Sequence, residues 1–127
     1  MDTLLKEAVF TIKGVSCRDL TALLEGVWVV EEGLFLRTAN DFFPVRLELR
    51  FTPLSGSCRV VHVKMKSPGR RFWGETFTVC CREEGRVLLR ISRRRGVGRL
   101  GADSLGYRLL EALRSKLEFC IEEVRVF

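Results

Sequence analysis

LGYRLLEALRSKLEFCIEEVRVF, residues 105–127, carries apolar side chains at Leu105, Leu109, Leu113, Leu117, Cys120, Val124 and Phe127. Steps of three or four residues draw one stripe along an α-helix, so the spacing predicts a continuous helix over residues 104 to about 125. The same stretch admits one competitor. Its β-branched and aromatic residues also suit an edge strand over residues 122–127. A helical stripe of that length needs an apolar surface to cover, and the chain before it supplies one. Between residues 7 and 94 about seven short segments alternate apolar and polar side chains with period two, the pattern of half-buried strands.

The first of these, residues 7–13, sets Ala8, Phe10 and Ile12 against Glu7, Thr11 and Lys13 and ends at Gly14. Ser16 with Asp19 three positions on resembles a capping box, and Leu20, Leu23, Leu24 and Val27 give a short helical stripe stopped by Gly26. Segments 27–31 and 34–38 flank Glu32 and Gly33, which read as a hairpin turn. Residues 45–52 alternate most cleanly, with Val45, Leu47, Leu49 and Phe51 on one face and Arg46, Glu48, Arg50 and Thr52 on the other. Turn-like stretches then separate residues 58–66, 71–82 and 86–94, which makes a meander. A register with Phe51 opposite Arg59, Cys58 opposite Cys80 and Arg82 opposite Arg86 collects Val61, Val63, Met65, Trp73, Phe77, Val79, Cys81, Val87, Leu89 and Ile91 on the same inner face.

Strand, short helix, five or six further antiparallel strands and a long C-terminal helix is an order that resembles the START-domain and birch-pollen-allergen-like helix-grip superfamily (SRPBCC-like). The resemblance rests on element order and departs from that family in offering one helix, not two, after the first strand. It implies an α+β fold in which a curved sheet of about six to seven strands wraps around the final helix, enclosing a cavity for a hydrophobic small molecule or lipid. Residues placed to line that cavity are Met65, Trp73, Glu75, Phe77 and Arg93 on the inner face, with Leu109 and Leu113 on the helix.

With 127 residues and 46% hydrophobic content, the chain reads as one domain, residues 1–127, able to bury a core. Its apolar runs are broken by charge within a few residues, so no membrane span is expected. The first six residues lack the basic start and apolar stretch of a secretory signal, which points to the cytoplasm. Five cysteines without C-x-x-C pairing fit reduced thiols better than a disulfide framework or zinc site, and a single His further disfavours a metal. Arg outnumbers Lys 17 to 5, with one Asn and no Gln; that bias suggests a thermophilic source, where Cys58 and Cys80 would be candidates for an intracellular bridge.

No catalytic set emerges, so a binding protein without cofactor is favoured over an enzyme. Gly96, Gly98 and Gly101 complete a G-x-G-x-x-G, yet the strand before it is amphipathic and no second β-α-β half follows, so a dinucleotide site is rejected. A basic loop, or an anion site using Arg95 and Arg99, are the remaining readings. Glu75 is the one acid on the inner face, and the register sets it beside Arg93; the pair is either a polar anchor at a cavity or a salt bridge at the rim. His62 falls on the outer face without an orienting partner, and Cys17 at a helix start lacks a His partner. The outer face also gathers Arg46, Arg50, Lys64, Lys66, Arg82, Arg86, Arg90 and Arg94 against Glu48, which raises the alternative of nucleic-acid or polyanion binding in a chain of net charge +6.

Overall fold

The computed structural model describes residues 5–37, 42–66, 73–96 and 105–127. Strand β1 (Glu7–Ile12) buries Ala8, Phe10 and Ile12. Gly14, at φ 74°, turns the chain out of it, a conformation that favours a residue without Cβ. Helix α1 (Cys17–Leu23) follows, capped by Ser16, whose Oγ accepts from the Asp19 N–H at 3.2 Å. Its buried side chains are Cys17 and Leu20, with Leu24 just beyond it; Leu23 is exposed. A meander then runs through β2 (Gly26–Arg37), β3 (Phe42–Pro53), β4 (Cys58–Lys66), β5 (Trp73–Glu83) and β6 (Val87–Gly96). Helix α2 (Leu105–Leu117), one 3-10 turn (Glu118–Cys120) and β7 (Ile121–Val126) complete the order.

All seven strands form one antiparallel sheet, ordered β2-β3-β4-β5-β6-β1-β7. Both helices lie on one face of it: α2 packs on β4 and β5, and α1 on β5. Between sheet and helices lies a core of Leu47, Leu49, Val61, Val63, Phe77, Leu89 and Ile91 from the strands and Leu105, Leu109, Leu113 and Leu117 from α2. Gly106 sits where α2 comes closest; a Cβ there would stand 2.6 Å from the Leu5 Cβ. The opposite sheet face carries no element among the described residues.

The expected sheet wrapped around a long final helix is not what forms. Helical structure stops at Leu117, continues only as the three-residue 3-10 turn, and gives way to a strand. Residues 121–126 pair with β1 (Ala8 with Val126, Phe10 with Val124, Ile12 with Ile121), so the continuous helix to about residue 125 is overturned. The physical reason is the exposed side of β1. Without β7 that side would offer unpaired N–H and C=O groups beside a buried core, and Ile121, Val124 and Val126 are residues suited to fill the vacancy. Cys120, buried at the turn, fits the helical stripe and the strand equally well by spacing alone.

Three further expectations are corrected. Glu32 and Gly33 make no hairpin: β2 is one strand of twelve residues, and the pairing with β3 shifts between Glu32 and Phe35 as a bulge would. Phe51 lies opposite Val61 rather than Arg59, and Arg82 opposite Leu88 rather than Arg86. Both shifts are of two residues, so face parity survives. Their cause is tight turns around Gly56 (φ 53°) and Gly85 (φ 69°), which let Pro53 pair with Arg59 and Glu83 with Val87. Finally, four of the five cysteines are bridged, Cys17 to Cys81 and Cys58 to Cys80, leaving Cys120 as the one free thiol. Neighbouring Cys80 and Cys81 point to opposite faces, so one strand is tied to α1 on the inner side and to β4 on the outer side.

Candidate functional site: the cleft between β2 and α2

Because α2 lies over β4 and β5, it only partly covers the inner face of the β2 edge, where Trp28 and Val30 are half-buried. The gap is an open cleft of about 570 Å³ lined by Trp28, Val29, Val30, Glu111, Ala112, Ser115 and Lys116. Trp28 pairs with Leu49 and Val30 with Leu47, so both side chains share the inner face with the core. Val29 pairs with Glu48 and points outward; what it brings to the cleft wall is its main chain at the sheet edge.

Gly26, at φ 79°, redirects the chain from α1 into β2 and fixes where this strand begins. From there Trp28 packs on Phe51 with ring centroids 4.5 Å apart and a tilt of 51°. Lys116 Nζ stands 5.6 Å from the Trp28 ring centroid, a cation–π contact worth about 0.5–1 kcal/mol at an exposed site. Ala112 and Lys116 share one helical flank, Glu111 and Ser115 the next. The cleft therefore has an apolar floor, a cation at one end and a carboxylate at the other.

The residues expected to line a cavity are distributed differently. Met65, Phe77, Leu109 and Leu113 are buried members of the core. Trp73 pairs with Met65 in the ladder, and its side chain lies outside the described residues. Glu75 and Arg93 do come together, Arg93 Nη2 standing 4.0 Å from Glu75 Oε1, but not as direct cross-strand neighbours. The two-residue slip at the β5–β6 turn puts Arg93 opposite Phe77, a further shift between Thr76 and Phe77 puts Gly96 opposite Glu75, and the arginine reaches back diagonally. The Glu75 side chain is 1% exposed and that of Arg93 20%, so this is a buried pair and not a rim salt bridge. Burial raises the Glu75 pKa above its ordinary value while Arg93 pulls it down. Among the described residues Glu75 Oε1 and Arg93 Nε each lack a hydrogen-bond partner.

On the outer face Arg46, Arg50, Lys64, Arg90 and Arg94 are exposed, and Arg86 is exposed in the β5–β6 turn. Lys66 pairs with Arg46 at the same end. His62 Nδ1 lies 3.3 Å from Thr76 Oγ1. The residues of the expected glycine loop after Gly96, with Arg99 and Asp103, lie outside the described residues. Among the described residues no three His, Cys, Asp or Glu side chains gather as a metal site, and no helix is long and apolar enough to cross a membrane.

Trp28 and Lys116 escaped the sequence reading. The signal was present in β2, where Trp28 and Val30 keep the same parity as the core, but only the position of α2 shows that they are half-buried and line an open cleft. No family model, no curated protein and no solved structure matches this chain.

Proposed function

We propose that the protein binds a small amphipathic anion in the cleft between β2 and α2, its apolar body against Trp28, Val30 and Ala112 and its charged end toward Lys116. The observation that carries this reading is the cleft itself: about 570 Å³, with an aromatic floor and an ammonium group held beside it. That volume falls in the range of about 300–1,000 Å³ common to small-molecule sites, which pair a mostly apolar lining with a few placed polar groups. Glu111 at the opposite end disfavours a second negative charge on the ligand, since it would stand unpaired beside a carboxylate.

Two dyes of similar shape test the reading, the anionic 1-anilinonaphthalene-8-sulfonate and the neutral N-phenyl-1-naphthylamine. Both should bind the folded protein saturably, and Trp28→Ala should weaken both. Lys116→Met, which keeps an apolar stem, should weaken the anionic dye about two- to fivefold, the ~0.5–1 kcal/mol of one exposed charge contact, and leave the neutral one unchanged. Dye uptake seen only on partial unfolding, or an unchanged anionic-dye affinity in Lys116→Met, would overturn it.

A further inference from the structure

Strand β7 has one edge paired and one open. Phe127 N–H donates to the Glu7 carbonyl at 2.8 Å, and Arg125 and Glu123, set opposite Val9 and Thr11, take the same alternate places in the β1 ladder. The main-chain N–H and C=O groups of Val124 and Val126 therefore point away from β1. Among the described residues no strand pairs with that side, since β7 ends the sheet. Apolar side chains gather there too: Phe119, in the 3-10 turn, is 69% exposed and Phe127 65%, the two most exposed large hydrophobic residues among those described, and Val126 is exposed as well. Val124 and Val126, opposite Phe10 and Ala8, belong to the helix side of the sheet. Glu123 and Arg125 lie on the open face, both exposed, 3.0 Å from each other.

We infer that the open edge of β7 pairs antiparallel with β7 of a second copy of this chain, about a two-fold axis normal to the sheet. Such an axis preserves the faces of the sheet, so it must pass beside one residue and set its neighbours opposite each other in pairs. Three registers centre the axis on residues 123–125, and their charges decide between them. Centred on Glu123, the two copies oppose Glu123 to itself; centred on Arg125, they oppose Arg125 to itself; both are like-charge contacts. Centred on Val124, the register sets Glu123 opposite Arg125 of the second copy and Arg125 opposite its Glu123. These are non-hydrogen-bonded positions, where opposed side chains come closest, while the outward main-chain groups of the two Val124 residues exchange both their bonds. Charges on an edge strand commonly guard it against pairing; here they guard it in every one of these registers but that one. The contact between Glu123 and Arg125 of one chain, at the surface, contributes little alone, but across the axis the four charges alternate in a square. Glu122, at the bulge, falls opposite Val126, a neutral pairing. Each Phe127 is carried toward the Glu118–Cys120 turn of the other copy, where Phe119 stands exposed. A strand that is self-complementary in charge, in hydrogen-bond parity and in its apolar ends selects its own copy as occupant. The cleft, at the β2 end of the sheet, stays open in the dimer.

Sedimentation equilibrium over a dilution series at low salt tests this. The parent should dimerise. Glu123→Arg alone and Arg125→Glu alone each turn both cross-axis pairs into like-charge pairs, and each should weaken the dimer about tenfold. An equimolar mixture of these two variants should recover close to the parent's affinity, because a strand with cations at 123 and 125 matches one with carboxylates at both. Val126→Pro removes an N–H that β1 does not use, so it should leave the fold intact and weaken the dimer about tenfold as well. All three substituted side chains are exposed, and circular dichroism checks that each variant keeps the parent's fold. A parent that is monomeric throughout, a dimer that Val126→Pro leaves unchanged, or a mixture that associates no more tightly than its separate components would each overturn the inference.

Discussion

Removing the Cys17–Cys81 bridge by Cys17→Ala together with Cys81→Ala should cost about 4 kcal/mol of stability. The bridge joins residues 64 apart in sequence, and the loop-closure relation for that separation gives about 4.3 kcal/mol at 25 °C. Cys58–Cys80 closes a loop of 22 within it, for which the same relation gives about 3.4 kcal/mol alone. Because the inner loop shortens the outer one to roughly 43 residues, the outer bridge is still worth about 4 kcal/mol when the inner is intact. Both sulfurs are buried, so alanine also leaves a small void, which adds to the loss. In urea, with a slope of about 2 kcal/mol/M, the midpoint should fall by about 2 M, and the melting temperature by roughly 15 °C. Thiol alkylation of the denatured, unreduced parent should modify one cysteine, Cys120, and all five after reduction. Equal midpoints for parent and variant, or five reactive thiols before reduction, would show that the bridge does not hold the fold.

Gly106→Ala should destabilise despite removing a glycine from a helix. The helix gain is about 1 kcal/mol, but the new Cβ falls 2.6 Å from the Leu5 Cβ and 3.0 Å from Phe77 Cζ, so overpacking of about 1–3 kcal/mol should prevail; a midpoint above the parent's would contradict this. Leu113→Ala, at a fully buried position, should lose about 2–5 kcal/mol in chemical denaturation, and a loss below 1 kcal/mol would mean α2 is not seated on the core. Glu75 makes stability depend on pH in a defined direction. Its folded pKa is raised, so between the ordinary value and the raised one the native state binds more protons than the unfolded state, and stability falls as pH rises through that window. Glu75→Gln lacks this dependence and should gain on the parent as pH rises above 4.5 in paired urea titrations, whereas a variant that loses ground on that rise would show the carboxylate to be stabilised by its site.

Much of the architecture can be read from residue order because period-two alternation fixes parity. Leu47, Leu49, Val61, Val63, Phe77, Val79, Leu89 and Ile91 had to share a face whichever way the strands slid by two residues, and they do. The same parity put Arg50, Lys64 and Arg94 on the open face, and the Ser16 cap is set by local chemistry that depends on nothing distant. Register, helix length and thiol pairing are of another kind. A spacing of three and four through Leu117, Cys120 and Val124 satisfies a helix or a helix followed by a strand, and what chose between them was the unpaired side of β1, a feature absent from the local sequence. Bulges at Glu32, Thr76 and Thr11 shift pairings that no single strand's pattern specifies, and the two-residue slip at the β5–β6 turn makes Glu75 and Arg93 a diagonal, buried pair. The bridges depend on Cα separations of 5.5 and 4.1 Å that only the packed sheet creates. The cleft is of the same kind: Trp28, half-buried on β2, lines it together with Ala112 and Lys116 of α2, residues far apart in the chain that share a wall only because helix and sheet pack as they do.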